Sequence, residues 1–233
     1  MGFAGLWLSA PKLLPQAALA FTPLPETPGF RSLAGGEVSA RPDPFAGLGT
    51  APDTGLPAPS PVDDPCTLLP TNSGKRVAVT LFTEIFCPIC RMFDPLLEER
   101  NGSTIALTIR QLPLLGPASV TAARAILAAD QQGKGPALKT RLQRSRFVPD
   151  HAYLTRISES LGLESDQLLR DMDSPEVTRQ LADSLGLAYR FGLFATPGCI
   201  VGRTAVLGRL PPRTLDALIT AESQLPSACP SLS

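Results

Sequence analysis

The feature that most constrains the fold of this chain is a strand running directly into Cys87-Pro88-Ile89-Cys90 at the first turn of a helix. VAVTLFTE (77–84) is β-branched and apolar, as a buried strand requires, and Asn72-Ser73-Gly74 ahead of it is a turn signal. RMFDPLLEER (91–100) repeats Met92, Phe93, Leu96 and Leu97 at helical spacing, and Pro88 suits a first helical turn. Asn101-Gly102-Ser103 ends that helix, and TIALTIRQL (104–112) alternates as a second strand. In such a unit the first sulfur faces unsatisfied backbone N–H groups and the positive end of the helix. That setting favours thiolate and lowers a cysteine pKa to ~3.5–7.5. Cys90, one turn further on, is then placed to attack a mixed disulfide on Cys87, because a disulfide needs Cα atoms only ~5.5 Å apart.

The chain has five cysteines, Cys66, Cys87, Cys90, Cys199 and Cys229, too few in 233 residues for a disulfide-dense miniprotein. A zinc site built on Cys87 and Cys90 wants two more ligands at matching spacing. No second Cys-x-x-Cys exists and the one histidine is His151, so redox chemistry is favoured over metal. His151 follows a helix-capping Asp150 in a polar stretch and reads as a solvated residue. Cys199, within Gly198-Cys199-Ile200-Val201, reads as a small core hydrophobe, with a third redox thiol or a shared metal site as the alternative. Cys66 and Cys229 flank the folded region, and chain ends often lie close together, so a structural disulfide between them is expected.

The stretch after the second strand is helical in pattern. ASVTAARAILAADQQ (118–132) and ALKTRLQRS (137–145) carry apolar stripes, Asp150 can cap HAYLTRISESLG, and Ser174-Pro175-Glu176 opens VTRQLADSLGLAYR. Strand character returns at Ala195-Thr196-Pro197-Gly198-Cys199-Ile200-Val201. Gly202-Arg203 turns that segment into TAVLG (204–208), and Pro211-Pro212 opens a last amphipathic helix.

The N-terminal part has a different texture: thirteen of the 25 prolines fall in residues 1–70. Residues 1–20 are apolar, and Ala18-Leu19-Ala20 fits the small-x-small pattern cleaved after a secretory signal, although Lys12, Pro11 and Pro15 interrupt the stretch; a signal is favoured over an ordinary unstructured start. Residues 21–62 lack a sustained period and read as a proline-rich, disordered tether, leaving a folded domain over 63–229. With 21 basic and 21 acidic side chains the formal charge is zero, which gives no electrostatic reason to expect nucleic acid or an anionic membrane as partner.

LFTEIFCPICRMFDPLLEE, QLPLLGPASVTAARAILAADQQGK and SPEVTRQLADSLGLAYRFGLFATPGCIVG, in that order over about residues 75–222, resemble the DsbA-type thiol–disulfide oxidoreductases of the bacterial cell envelope. The resemblance implies an α/β, thioredoxin-like fold with an inserted α-helical subdomain at about 116–190. It implies Cys87 and Cys90 as the catalytic pair and a cis Thr196-Pro197 that holds substrate backbone beside the reactive sulfur. It also implies no cofactor, export to the periplasm or envelope, cysteine-containing unfolded proteins as substrates and a membrane or soluble redox partner. Donation of a disulfide is the favoured direction, with reduction, isomerisation or a non-catalytic copper- or zinc-handling module as alternatives. Three positions depart from the family pattern. Ile89 stands where many such oxidases carry histidine, and Cys199 stands where an apolar residue is expected. Leu81 stands where many carry a buried acid, and Glu84, the nearest carboxylate in sequence, is expected to point to solvent because buried unpaired acids are rare.

Overall fold

The computed structural model describes residues 19–39, 55–145 and 148–230. In chain order these form β1 (Phe21–Pro23), β2 (Arg31–Leu33), β3 (Val77–Thr83), α1 (Pro88–Glu98), β4 (Ile105–Gln111), α2 (Pro117–Gln131), α3 (Gly135–Gln143), α4 (His151–Leu161), α5 (Ser165–Met172), α6 (Pro175–Arg190), β5 (Gly198–Val201), β6 (Thr204–Leu207) and α7 (Pro212–Ser223). The strands make one sheet in the order β1-β2-β6-β5-β3-β4. β3 pairs parallel to β4 and antiparallel to β5, which pairs antiparallel to β6. This four-stranded unit with α1 and α7, and with helices as the only regular elements among the described residues between β4 and β5, is a thioredoxin-like fold with a helical insertion.

Every residue of β3 is buried, because helices cover both of its faces. Val77, Val79 and Leu81 share a core with Phe93 and Leu97 of α1 and Leu215, Leu218 and Ile219 of α7. Phe82 points the other way, with Ile200, against Leu185, Ala188 and Phe191 of α6 and its C-terminal end. The helical insertion has its own core, from Ala122, Ala125 and Ala129 of α2 to Leu154, Leu168 and Val177, and Ile85 reaches it from the loop before Cys87. Helix starts follow local chemistry. Asp150 accepts the Tyr153 N–H at 2.7 Å at the head of α4, and Ser174 accepts the Val177 N–H at 3.2 Å ahead of Pro175 in α6. Gly162, at φ 66°, closes α4 in the left-handed region. Among the described residues no helix is long and apolar enough to cross a membrane.

The expectation of a disordered tether over residues 21–62 does not hold for the described parts of that range. β1 and β2 form a hairpin, and β2 adds parallel to β6, extending the sheet by two strands. The stabilising contacts are long-range. Arg31 pairs with buried Glu222 at 2.6 Å, its Nε donates to Thr204 Oγ1 at 2.9 Å, and its guanidinium lies 3.5 Å from the centre of the Phe21 ring. Ser60 N–H donates to the Ala182 carbonyl at 2.9 Å, and Gly186 has no space for a Cβ because the Ser60 carbonyl lies against it, so this stretch packs on α6. Residues 40–54, and the proposed signal segment up to residue 18, lie outside the described residues.

Candidate active site

Cys87 is the N-cap residue of α1, with an extended backbone, and its sulfur accepts the N–H of Cys90 at 2.9 Å. Pro88 opens the helix at a position that needs no N–H, and because Cys87 is the N-cap residue the capping acceptor is a sulfur rather than a hydroxyl or carboxylate. Cys87 and Cys90 are joined in a disulfide with Cα atoms 5.2 Å apart, and both are fully buried in this state. A helix start with a sulfur for its cap stabilises negative charge on that sulfur once the disulfide opens.

The Thr196-Pro197 peptide bond is cis, immediately before β5. Phe82 pairs with Gly198 and Leu81 with Cys199, and continuing this antiparallel register sets Pro197 level with Thr83, at the end of β3 that leads into Cys87. The structure therefore brings Thr196, Pro197, Cys87 and Cys90 to one end of the sheet. His151 is exposed at the head of α4, in the helical insertion. Cys199 is fully buried in the core beneath β3, where burial pushes its thiol up to about 12, leaving it protonated and unreactive at neutral pH. Among the described residues no group of three or more His, Cys, Asp and Glu is arranged to hold a metal ion. Cys66 and Cys229 form a second disulfide, also with Cα atoms 5.2 Å apart, between the short 3-10 turn Pro65–Thr67 and the chain end beyond α7.

Glu84 does not point to solvent. It is 2% exposed, its Oε2 accepts the Leu115 N–H at 3.1 Å, and its Oε1 has no partner. Burial raises its pKa from 4.5 to about 7, and the Leu115 N–H only partly opposes the shift. Strand alternation accounts for the inward position: Glu84 continues the face of Phe82, which the chain after β4 and the helical insertion cover.

A second buried group escaped the sequence reading. Asp94, on α1, is 2% exposed and its Oδ2 accepts from Thr83 Oγ1 at 2.8 Å and from Lys139 Nζ at 2.9 Å; Lys139 also pairs with Glu98 at 3.3 Å. Burial holds the Asp94 carboxyl above its ordinary pKa, and the neighbouring Lys139 ammonium opposes only part of the shift. This network fastens the Cys-bearing helix to the end of β3 and to α3 of the insertion. Its signal in the sequence was spacing, since Cys90, Phe93, Asp94 and Leu97 make one buried helical face.

Residues 78–220 match the DSBA-like thioredoxin domain family. A thioredoxin-like oxidoreductase from Silicibacter pomeroyi is 32% identical, with 70% of this chain and 95% of that one covered at a TM-score of 0.59. A periplasmic thioredoxin-like protein from Salmonella enterica serovar Typhimurium is 25% identical over 70% of this chain and 94% of that one, with a TM-score of 0.50. A thiol–disulfide exchange protein from Wolbachia pipientis, 19% identical over 66% of this chain and 87% of its own at a TM-score of 0.57, shares the fold. No curated protein matches the sequence.

Proposed function

The chain belongs to the DSBA-like thioredoxin domain family, whose members are thiol–disulfide oxidoreductases, and we propose that it donates the Cys87–Cys90 disulfide to cysteine-containing proteins outside the cytoplasm. The observation that carries this reading is the capping of α1 by the Cys87 sulfur, 2.9 Å from the Cys90 amide. A substrate thiolate attacks Cys87 Sγ, the Cys87–Cys90 bond breaks, and Cys90 leaves with the electron pair. A second substrate thiolate then attacks the substrate's own sulfur in the mixed disulfide and expels Cys87 as a thiolate. The substrate dithiol is oxidised to a disulfide and the Cys87–Cys90 pair is reduced, to be reoxidised by a membrane or soluble redox partner. The helix start stabilises the departing Cys87 thiolate, which favours the reduced enzyme and makes the disulfide oxidising. Thr196 and Pro197 hold the substrate backbone beside Cys87 while the sulfurs exchange.

Export through the signal at residues 1–20 fits the Cys66–Cys229 bridge, because a structural disulfide persists in an oxidising compartment. The similar thioredoxin-like protein of Salmonella is periplasmic, which points the same way. Ile89 supports a second reading, reduction or isomerisation. It supplies no hydrogen-bond donor beside Cys87, so the thiolate is less stabilised and the couple less oxidising than one with a donor there.

Single-cysteine variants test the assignment. Cys87→Ser is expected to lower exchange with a dithiol peptide at least ~1,000-fold, and Cys90→Ser to accumulate mixed disulfides with partner proteins. Native-rate exchange by Cys87→Ser would overturn the assignment.

A further inference from the structure

Both backbone groups of Thr196 are already engaged by the chain's own N-terminal segment. Ser39 N–H donates to the Thr196 carbonyl at 2.7 Å, and Thr196 N–H donates to the Ser39 carbonyl at 3.4 Å, an antiparallel bridge. The segment arrives beside β6 and past its end. β2 pairs with β6 as far as Leu33 and Val206, and beyond it Arg209 N–H donates to the Glu37 carbonyl at 2.9 Å while the two side chains pair at 3.6 Å. The path is a close one: a Cβ on Gly35 would collide with the Leu207 carbonyl, and one on Gly36 with the Arg209 carbonyl.

We propose that residues 34–39 form an intramolecular strap that holds the substrate's strand position at Thr196, so that a protein substrate reaches Cys87 only when the strap leaves. The inference rests on the reading of Thr196 and Pro197 as the substrate-positioning element. An extended peptide docks on such backbone, once exposed, through main-chain hydrogen bonds, and one N–H and one C=O serve a single strand at a time. The strap's two ends are held unequally. Upstream, β2 is fixed by Arg31 on buried Glu222 and Thr204, whereas residues 34–38 are exposed, held at Glu37 by the backbone and side chain of Arg209, and end in the two hydrogen bonds at Ser39. Such a segment opens locally without unfolding the domain. Cys87, with no exposed surface, is consistent with a closed resting state. Substrate affinity is then reduced by the fraction of molecules in which the strap is open.

Two full-length variants test this without touching Cys87, Cys90, Thr196 or Pro197. Ser39→Pro removes the N–H given to Thr196, and Gly36→Val brings a side chain against the Arg209 carbonyl. Reduced protein is mixed with an extended peptide whose one cysteine carries thionitrobenzoate as a mixed disulfide. Cys87 thiolate attacks the peptide sulfur and thionitrobenzoate leaves as the coloured thiolate; Cys90 thiolate then attacks Cys87, restoring the intramolecular disulfide and releasing the peptide thiolate. Dithiobis(nitrobenzoate), which has no backbone, is the control. The same peptide with serine for cysteine is titrated by fluorescence anisotropy. Both variants are expected to raise the peptide rate and to tighten serine-peptide binding about tenfold, as expected for the loss of two competing backbone hydrogen bonds, with the control rate within about twofold. Wild-type-level peptide exchange and binding in both variants, or weaker binding, would overturn the strap. If no form of the protein exchanges disulfides, the redox assignment fails, and the binding titration still decides whether the strap occupies the site.

Discussion

The two disulfides have the same Cα–Cα separation, 5.2 Å, and opposite settings. Cys87 and Cys90 are three residues apart, so closing that loop removes little freedom from the unfolded chain; the bond's surroundings, a helix start capped by its own sulfur, favour the reduced thiolate. Cys66 and Cys229 are separated by 163 residues, and their bridge joins the segment ahead of β3 to the chain end beyond α7. Loop length and local electrostatics thus separate the two bonds, and under the proposed function the first serves chemistry and the second stability. A Cys-x-x-Cys spacing alone does not make the distinction, and neither does a count of cysteines.

The comparison breaks most visibly if the long bridge proves dispensable. Replacing Cys66 and Cys229 together by serine is expected to lower unfolding free energy by about 4–5 kcal/mol while leaving the Cys87–Cys90 exchange rate near wild type, measured by denaturant melts beside a peptide assay. The opposite pattern, retained stability with lost exchange, would reverse the two roles. Glu84 gives the next largest effect. Its folded pKa of about 7 lies above the ordinary 4.5, so the native state binds the extra proton and the associated stability is complete below pH 4.5 and lost as pH rises to about 7. The shift corresponds to about 3 kcal/mol, and Glu84→Gln is expected to flatten that part of the stability–pH curve and to be the more stable protein at pH 8. An unchanged slope would place the carboxyl in a wetter setting than its burial indicates. The smallest effect sharpens the redox side: Ile89→His adds a donor beside Cys87 and is expected to make the couple more oxidising by ~30 mV, equal to ~1.4 kcal/mol, read by equilibration with glutathione.

Much of this architecture is legible in the sequence where one element declares itself by its own period. β3, α1 and β4 stand where VAVTLFTE, RMFDPLLEER and TIALTIRQL predict them, and Asp150 and Ser174 cap the helices they precede. The hairpin of β1 and β2 is illegible for the opposite reason. FTP and RSL are three residues each, too short for any period, and their order comes from Arg31 meeting Glu222, 191 residues away. Proline content suggests a tether there, yet the prolines at 23, 25 and 28 sit at the end of a strand and in the turn that follows, positions that tolerate them. Glu84 was misplaced by the rarity of buried acids, although the alternation that puts Phe82 inward puts Glu84 there too. Lys139 carries no local sign at all, because its partner Asp94 comes from another element.

Equilibrium titration of the native protein against a glutathione redox series, with the state of each cysteine pair read by alkylation and peptide mass mapping, separates an exchangeable disulfide from a structural one. Cys87–Cys90 is expected to reduce within the range of the glutathione pool, at a potential less negative than about −230 mV, while Cys66–Cys229 stays intact to below about −300 mV. Reduction of both pairs together, or of Cys66–Cys229 first, would contradict that order.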